Sequence, residues 1–245
     1  MRAVGIIAAR LESTRLPRKA LADIEGLPMV VHTCKRAQLS KMLDEVFLAT
    51  DNQKIKEIGE FHGLDVIMTS THHTNSSERL AEACEKIDCD IIVNIQGDEP
   101  LVYPEHIDRI IEPLLNDSEI KVSIGITQFN KESSPADIKA VLDLNDDILY
   151  CSRNDIPEYY SGDFEGMWKL CFIVPFRKKL LRKYLVWDPT PLELIEDNHF
   201  LRILEHGIKM KAVKIDNAKI SVDTKKDLEK IRRLMKKDQL RFEYN

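Results

Sequence analysis

The chain has 245 residues, with 36 Lys and Arg against 41 Asp and Glu for a net charge of −5, and 43% of its residues are hydrophobic. That balance fits a folded chain of one large or two small domains, excludes general disorder, and argues against broad nucleic-acid binding, which needs a basic face. With 9 Gly and neither G-x-G-x-x-G nor G-x-x-x-x-G-K-[ST], it carries no dinucleotide fingerprint and no P-loop, and no apolar run approaches the roughly 20 residues of a membrane span.

In chain order, Val4 to Ala9, Val46 to Thr50, Val66 to Met68 and Ile91 to Ile95 are short and rich in β-branched residues, as buried parallel strands are. Helical patterns lie between them. Pro28 opens one with Val31, Cys34 and Leu39 on a face, Asn52 caps a second, and Asn75 to Ser77 introduce a third. This βαβ series predicts an α/β fold, with a parallel sheet and its ligands at the C-terminal strand edge. A helix from Pro104 to about Leu115 follows, and strands at Val122 to Thr127 and Ala140 to Leu144 make the sheet mixed. Ser133 to Pro135 and Asp143 to Asp147 read as turns, and Tyr159 to Gly166 as a loop. Beyond it the pattern predicts a strand near Leu170 to Val174, helices from Phe176 and from Leu192 to His206, a strand at Met210 to Ile215, and a charged helix from Thr224. Without repeats or a linker, residues 1–245 read as one domain, with an excursion around 130–165 as a candidate dimer surface. The 5 Cys lack a C-x-x-C and fit reduced core thiols. The first apolar stretch is too short for a signal peptide, so a cytoplasmic location is expected.

Three segments carry chemistry. Arg10, Arg15, Arg18 and Lys19, interleaved with Ser13 and Thr14, leave the first strand on one loop suited to a polyphosphate; a solvated basic loop is the alternative. Ile91-Ile92-Val93-Asn94-Ile95-Gln96-Gly97-Asp98 runs a buried strand into a carboxylate at the sheet edge, fit to hold Mg²⁺ or to cap a helix. Ile220-Ser221-Val222-Asp223 reads as a short strand ending in a second carboxylate, which could share a metal with Asp98. His72-His73 sits in a polar loop where exposure is the default.

Arg10 to Lys19, Ala49-Thr50-Asp51, Ser77 to Glu82, Asn94 to Pro100, Tyr150 to Arg153, Trp187 to Glu193, Leu201-Arg202 and Val222 to Thr224 together resemble, in order and spacing, the CMP-Kdo synthetases (3-deoxy-manno-octulosonate cytidylyltransferases). The resemblance implies a nucleotide-diphosphosugar-transferase fold, a Rossmann-like, mostly parallel mixed sheet flanked by helices, usually a homodimer, and Mg²⁺-dependent transfer of CMP from CTP to a 2-keto-3-deoxy sugar acid for surface polysaccharide or lipopolysaccharide synthesis. It assigns Arg10, Ser13 and Lys19 to the phosphates, the backbone of Ala8 and Ala9 to the nucleotide, and Ser76, Ser77 and Arg79 to the cytosine. Asp98 and Asp223 would bind the metal, and Gln96, with Arg15, would belong to the substrate side.

The departures from that pattern are concentrated. Pro17-Arg18-Lys19 stands where relatives have Pro-Gly-Lys, and Asn75-Ser76-Ser77 where they have Ser-Gly-Thr. On the sugar side, Lys169 replaces a histidine, His199 a glutamate and Phe200 a glutamine, so these three become candidate acceptor-binding residues. The acceptor could be Kdo or a Kdo-like acid such as 8-amino-Kdo. A non-catalytic paralogue that binds CTP or a CMP-sugar is the alternative from another class.

Overall fold

The computed structural model describes all residues except 14, 74–75, 161–165, 217, 219–220 and 245, and describes Ser76 by its backbone alone. The chain forms two compact units, one of residues 1–108 with 219–245 and the other of residues 109–218.

The first unit is built on parallel strands. β1 (Ala3–Ala9) lies between β6 (Ile91–Gln96) and β4 (Glu45–Thr50), and β5 (Asp65–Met68) pairs beyond β4. Val4, Ile6, Ile7, Leu48, Ile91, Ile92, Val93 and Ile95 are fully buried, as expected of strands covered on both faces. A two-stranded hairpin, β2 (Asp23–Ile24) with β3 (Leu27–Pro28), precedes α1 (Met29–Ala37). Glu25 and Gly26 both take positive φ, 51° and 92°, giving the primed turn that matches strand twist. The sequence reading missed this hairpin because its strands are only two residues long. α2 (Gln53–Phe61) and α3 (Ser76–Glu85) complete the crossovers. Asn52 caps α2 as predicted, its side chain accepting from the N–H groups of Lys54 and Ile55.

Register decides where the strands end. Ala8 pairs with both Ala49 and Gln96, and Ala9 with Thr50. The segments after β1, β4 and β6 therefore leave from one edge. α4 (Pro104–Asn116) runs across the division between the units.

The second unit holds a mixed sheet in the order β12-β7-β10-β8-β9. Its strands are β7 (Ser123–Phe129), β8 (Lys139–Leu142), β9 (Ile148–Ser152), β10 (Met167–Cys171) and β12 (Lys211–Lys214). β12 joins β7 in parallel and the other pairs are antiparallel. β9 was not predicted, since its exposed Leu149 breaks the buried run. The single strand expected at Leu170 to Val174 is two, β10 and β11 (Ile173–Arg177), interrupted at Phe172. α5 (Lys178–Val186) follows.

The helix expected from Leu192 to His206 is also broken, into α6 (Pro191–Glu196) and α7 (Phe200–Glu205). Asp197 takes a left-handed φ of 46°, which ends α6, and the Asn198 carboxamide oxygen accepts from the Phe200 N–H. Buried Glu193 rewards the break by pairing with Arg202 across it. At the start of α6 the Glu193 carboxylate accepts from the Thr190 N–H at 3.2 Å.

α8 (Lys225–Met235) returns the chain to the first unit, capped by Thr224, which accepts from the Asp227 N–H. Ser221 and Val222 are irregular rather than the end of a strand, and Ile220 lies outside the described residues. All five cysteines are buried thiols. No helix among the described residues is long and apolar enough to cross a membrane.

Candidate active site

The loop leaving β1 is fixed by Leu16. That side chain is buried in a cluster with Ile24, Met29, Leu101, Val222, Leu228, Ile231 and Met235. Anchored there, the loop leaves Arg10 and Arg15 exposed and brings Lys19 inward, half-buried in a short 3₁₀ turn (Lys19–Leu21). Arg18 begins that turn at φ 55°, a conformation that favours glycine. It does not line the cleft described below.

Lys19 organises the centre of the site. Its Nζ donates to Asp98 Oδ2 at 2.6 Å and to Asp223 Oδ1 at 3.3 Å, and Arg15 donates to the same Asp223 oxygen at 2.9 Å. Asp98 follows β6 after Gly97, where a Cβ would come within 3.1 Å of the Ala8 carbonyl oxygen. A side chain there would crowd that passage beside β1. The Asp98 carbonyl in turn accepts from the Val222 N–H at 2.9 Å, which brings Asp223 beside it. The two carboxylates foreseen as a shared-metal pair thus meet at one ammonium, across 79 and 204 residues of sequence.

These groups line a cleft of about 380 Å³ with Ala8, Ala9, Arg10, Ser13, Arg15, Lys19, Arg79, Gln96, Asp98 and Asp223 from the sequence-predicted set. Ser77 is half-buried on α3 outside the lining, and the Ser76 side chain lies outside the described residues. Arg79 is buried and fixed, donating to Asp51 at 2.6 Å and to the Thr69 hydroxyl at 2.5 Å. It thereby ties α3 to the residues just past β4 and β5.

His73 was missed. Its side chain is only 19% exposed and lines the cleft, with Nε2 at 2.7 Å from Glu82 Oε2. Burial resists ionisation of Glu82, but hydrogen bonds from Lys86, the Ser70 N–H and His73 outweigh it and hold that carboxyl down at about 2. No local sequence pattern marks a nine-residue His-to-Glu pairing across a loop and a helix.

In the second unit, the three candidate acceptor residues all have partners. Lys169 Nζ lies 3.0 Å from Asp137 and 5.4 Å from the Phe129 ring centre. Asp137 is lowered from its ordinary value, hydrogen bonds from Ser134 and Lys169 overcoming its desolvation. His199 Nδ1 sits 3.1 Å from Glu193 Oε1, and Phe200 stacks on Phe172 at 5.9 Å. Glu193 also accepts two 2.6 Å bonds from Arg202, which with His199 hold its carboxyl below the usual range against its burial.

Residues 4–215 match the family model described as cytidylyltransferase. The chain is 42% identical over 243 residues to the mitochondrial 3-deoxy-manno-octulosonate cytidylyltransferase of Arabidopsis thaliana, covering 96% of this chain and 83% of that one. The chain belongs to the 3-deoxy-manno-octulosonate cytidylyltransferase family. A bacterial member, from Geobacter metallireducens, is 38% identical over 94% of this chain and 96% of its own. Among solved structures, a CMP:2-keto-3-deoxy-manno-octonic acid synthetase complexed with CTP superposes with a TM-score of 0.94 at 31% identity, covering 97% of this chain and 99% of that chain. A cytidylyltransferase from Leptospira borgpetersenii, at 20% identity and a TM-score of 0.68 over 97% of this chain and 88% of that one, shares the fold. By family, then, this chain is a nucleotidyltransferase of the α/β type its sequence predicted. The family model stops before Asp223, so that residue enters the site on geometry.

Proposed function

We propose that the chain transfers CMP from CTP to the anomeric hydroxyl of a 3-deoxy-2-ulosonic acid, Kdo or a close variant, and releases pyrophosphate. One observation carries the reading: Lys19 gathers Asp98 and Asp223 at the strand edge, with Arg10, Arg15 and Ser13 on the same cleft. The names of the curated relatives, and the CTP bound in the solved synthetase, support the nucleotide and the acceptor class.

In this mechanism the sugar's anomeric oxygen attacks the α-phosphorus of CTP in line. A P–O bond to the acceptor forms, the bond to the β-phosphoryl oxygen breaks, and the hydroxyl proton leaves to solvent. Chemistry of this kind depends on positioning and on neutralising charge. Arg10 and Arg15 meet phosphate oxygens as planar donors and Lys19 as a point charge. Before nucleotide arrives, Lys19 keeps the two carboxylates from repelling each other.

Asp98 and Asp223 fit Mg²⁺, which takes one or two carboxylates and completes its shell with phosphate oxygens and water. Among the described residues no group of three or more His, Cys, Asp or Glu could form an all-protein cage, consistent with a metal that arrives with the triphosphate. When bound, it would supply Lewis-acid neutralisation of the phosphates.

Lys169, His199 and Phe200 would set the acceptor. Because Lys169 already has Asp137 as counter-ion, this reading favours an acceptor contact through the neutral pair over direct capture of the sugar carboxylate by a free ammonium. The reading keeps the homodimer, with exposed Leu144, Leu149 and Tyr160 near the 130–165 excursion as the apolar surface a second copy would cover.

Incubation with CTP, Mg²⁺ and a panel comprising Kdo, 8-amino-Kdo and other ulosonic acids tests the proposal. Pyrophosphate release with at least one acceptor is expected, together with its loss in Asp98→Asn while the fold is kept. CTP binding with no release for any acceptor would instead favour the non-catalytic paralogue.

A further inference from the structure

The cleft lining falls into two groups. Arg10, Arg15 and Lys19 come from the loop after β1; Arg79, already committed to Asp51 and Thr69, and His73 come from α3 and the segment before it. A triphosphate held by the first group leaves the nucleobase to the second.

The hydrogen bonds around Glu82 set what His73 can offer. Glu82 Oε2 accepts from the Ser70 N–H at 2.7 Å and faces His73 Nε2 at 2.7 Å, while Oε1 accepts from Lys86 at 2.8 Å. An ionised carboxylate only accepts, so the ring donates to it from Nε2, and in the tautomer protonated there alone the lone pair lies on Nδ1. Among the described residues Nδ1 has only the Glu78 carboxylate, at 3.8 Å, beyond hydrogen-bond reach. That tautomer presents an acceptor at Nδ1, beside two acidic side chains. An amino group suits that position, whereas a carbonyl oxygen would meet lone pair and negative charge.

Resting on the reading of CTP as the nucleotide, we propose that His73 is a specificity-determining residue that accepts a hydrogen bond at Nδ1 from the 4-amino group of cytosine and so selects CTP over UTP. Uracil presents O4 at the same place and is repelled. Glu82 is a positioning residue, holding the ring in the required tautomer.

The test compares binding of three triphosphates without acceptor, by titration calorimetry: CTP, UTP, and the pyrimidin-2-one ribonucleoside triphosphate, which lacks the 4-amino group. The wild type should prefer CTP to both. His73→Phe should weaken CTP about tenfold, the worth of one matched hydrogen bond, and bind all three within about threefold of one another. His73→Asn, which keeps an acceptor near the Nδ1 position, should retain part of the preference for CTP over the pyrimidin-2-one compound. It also serves if the phenylalanine variant does not fold. A wild-type CTP-to-UTP ratio surviving in His73→Phe, or, where that variant does not fold, an Asn variant that weakens all three nucleotides equally, overturns the role of His73 alone. Failure of the wild type to bind CTP overturns the nucleotide reading itself, a separate result.

Discussion

Replacing Arg79 by Met keeps the length of the side chain and removes its charge. Arg79 is 4% exposed, and its loss leaves Asp51 without the partner at 2.6 Å and the Thr69 hydroxyl without the donor at 2.5 Å. Breaking a buried pair from one side costs about 3–5 kcal/mol because the surviving charge stays desolvated. Asp51 keeps 19% of its side chain exposed and can recover some hydration, so the expected loss is roughly 2–4 kcal/mol. For a chain of this size that is a fall of roughly 4–16 °C in Tm. Both tryptophans, Trp168 and Trp187, lie in the second unit, so indole fluorescence would follow the wrong part of the chain. Far-UV circular dichroism during denaturation follows the whole chain, and hydrogen exchange on β4 and β5 peptides reads the first unit. The decisive variant is Arg79→Met combined with Asp51→Asn. If the damage is the orphaned carboxylate, the double variant recovers at least half of the loss and the cycle shows a coupling above about 1 kcal/mol. Strict additivity would refute the ion-pair account and leave packing as the cause.

Two further outcomes follow from local geometry. Arg18→Gly relieves a left-handed non-glycine residue in the loop after β1 and should raise stability by about 0.5–1 kcal/mol in thermal denaturation, against the entropy a glycine adds to the unfolded chain; a lower Tm would show that Arg18 is held in its strained place by contacts. Glu82 ionises at about 2 in the fold against 4.5 ordinarily, so its stabilising contribution is complete above pH 4.5 and disappears as pH falls towards 2. After discounting for a side chain 29% exposed, the difference in unfolding free energy between wild type and Glu82→Gln should be roughly 1–2 kcal/mol near neutrality and shrink through that acid window, where a pH-independent difference would contradict the linkage.

Periodicity and composition determined much about this protein. The β-branched runs from Val4, Val46, Val66 and Ile91 are strands because residues buried on both faces leave an unbroken apolar signature. The cations of the loop after β1, and the carboxylate after Gly97, were legible because a parallel sheet sends such segments to one edge. Short-range patterns failed where a long-range partner overrode them. α6 ends where Asp197 turns left-handed, and Glu193 pairs with Arg202 across the break; the two-residue strands of the β2–β3 hairpin are too brief for any period to show.

Tertiary structure alone decided which charges meet. Nothing near Asp223 in sequence announces that one backbone bond from Val222 to Asp98 will set it beside Lys19. Nothing near His73 announces that Glu82 will meet its ring inside the cleft. Secondary structure is written in neighbours three or four residues apart, and sequence can be read for it. A site is assembled from side chains whose separation in space is set by packing, and packing is a property of the folded chain.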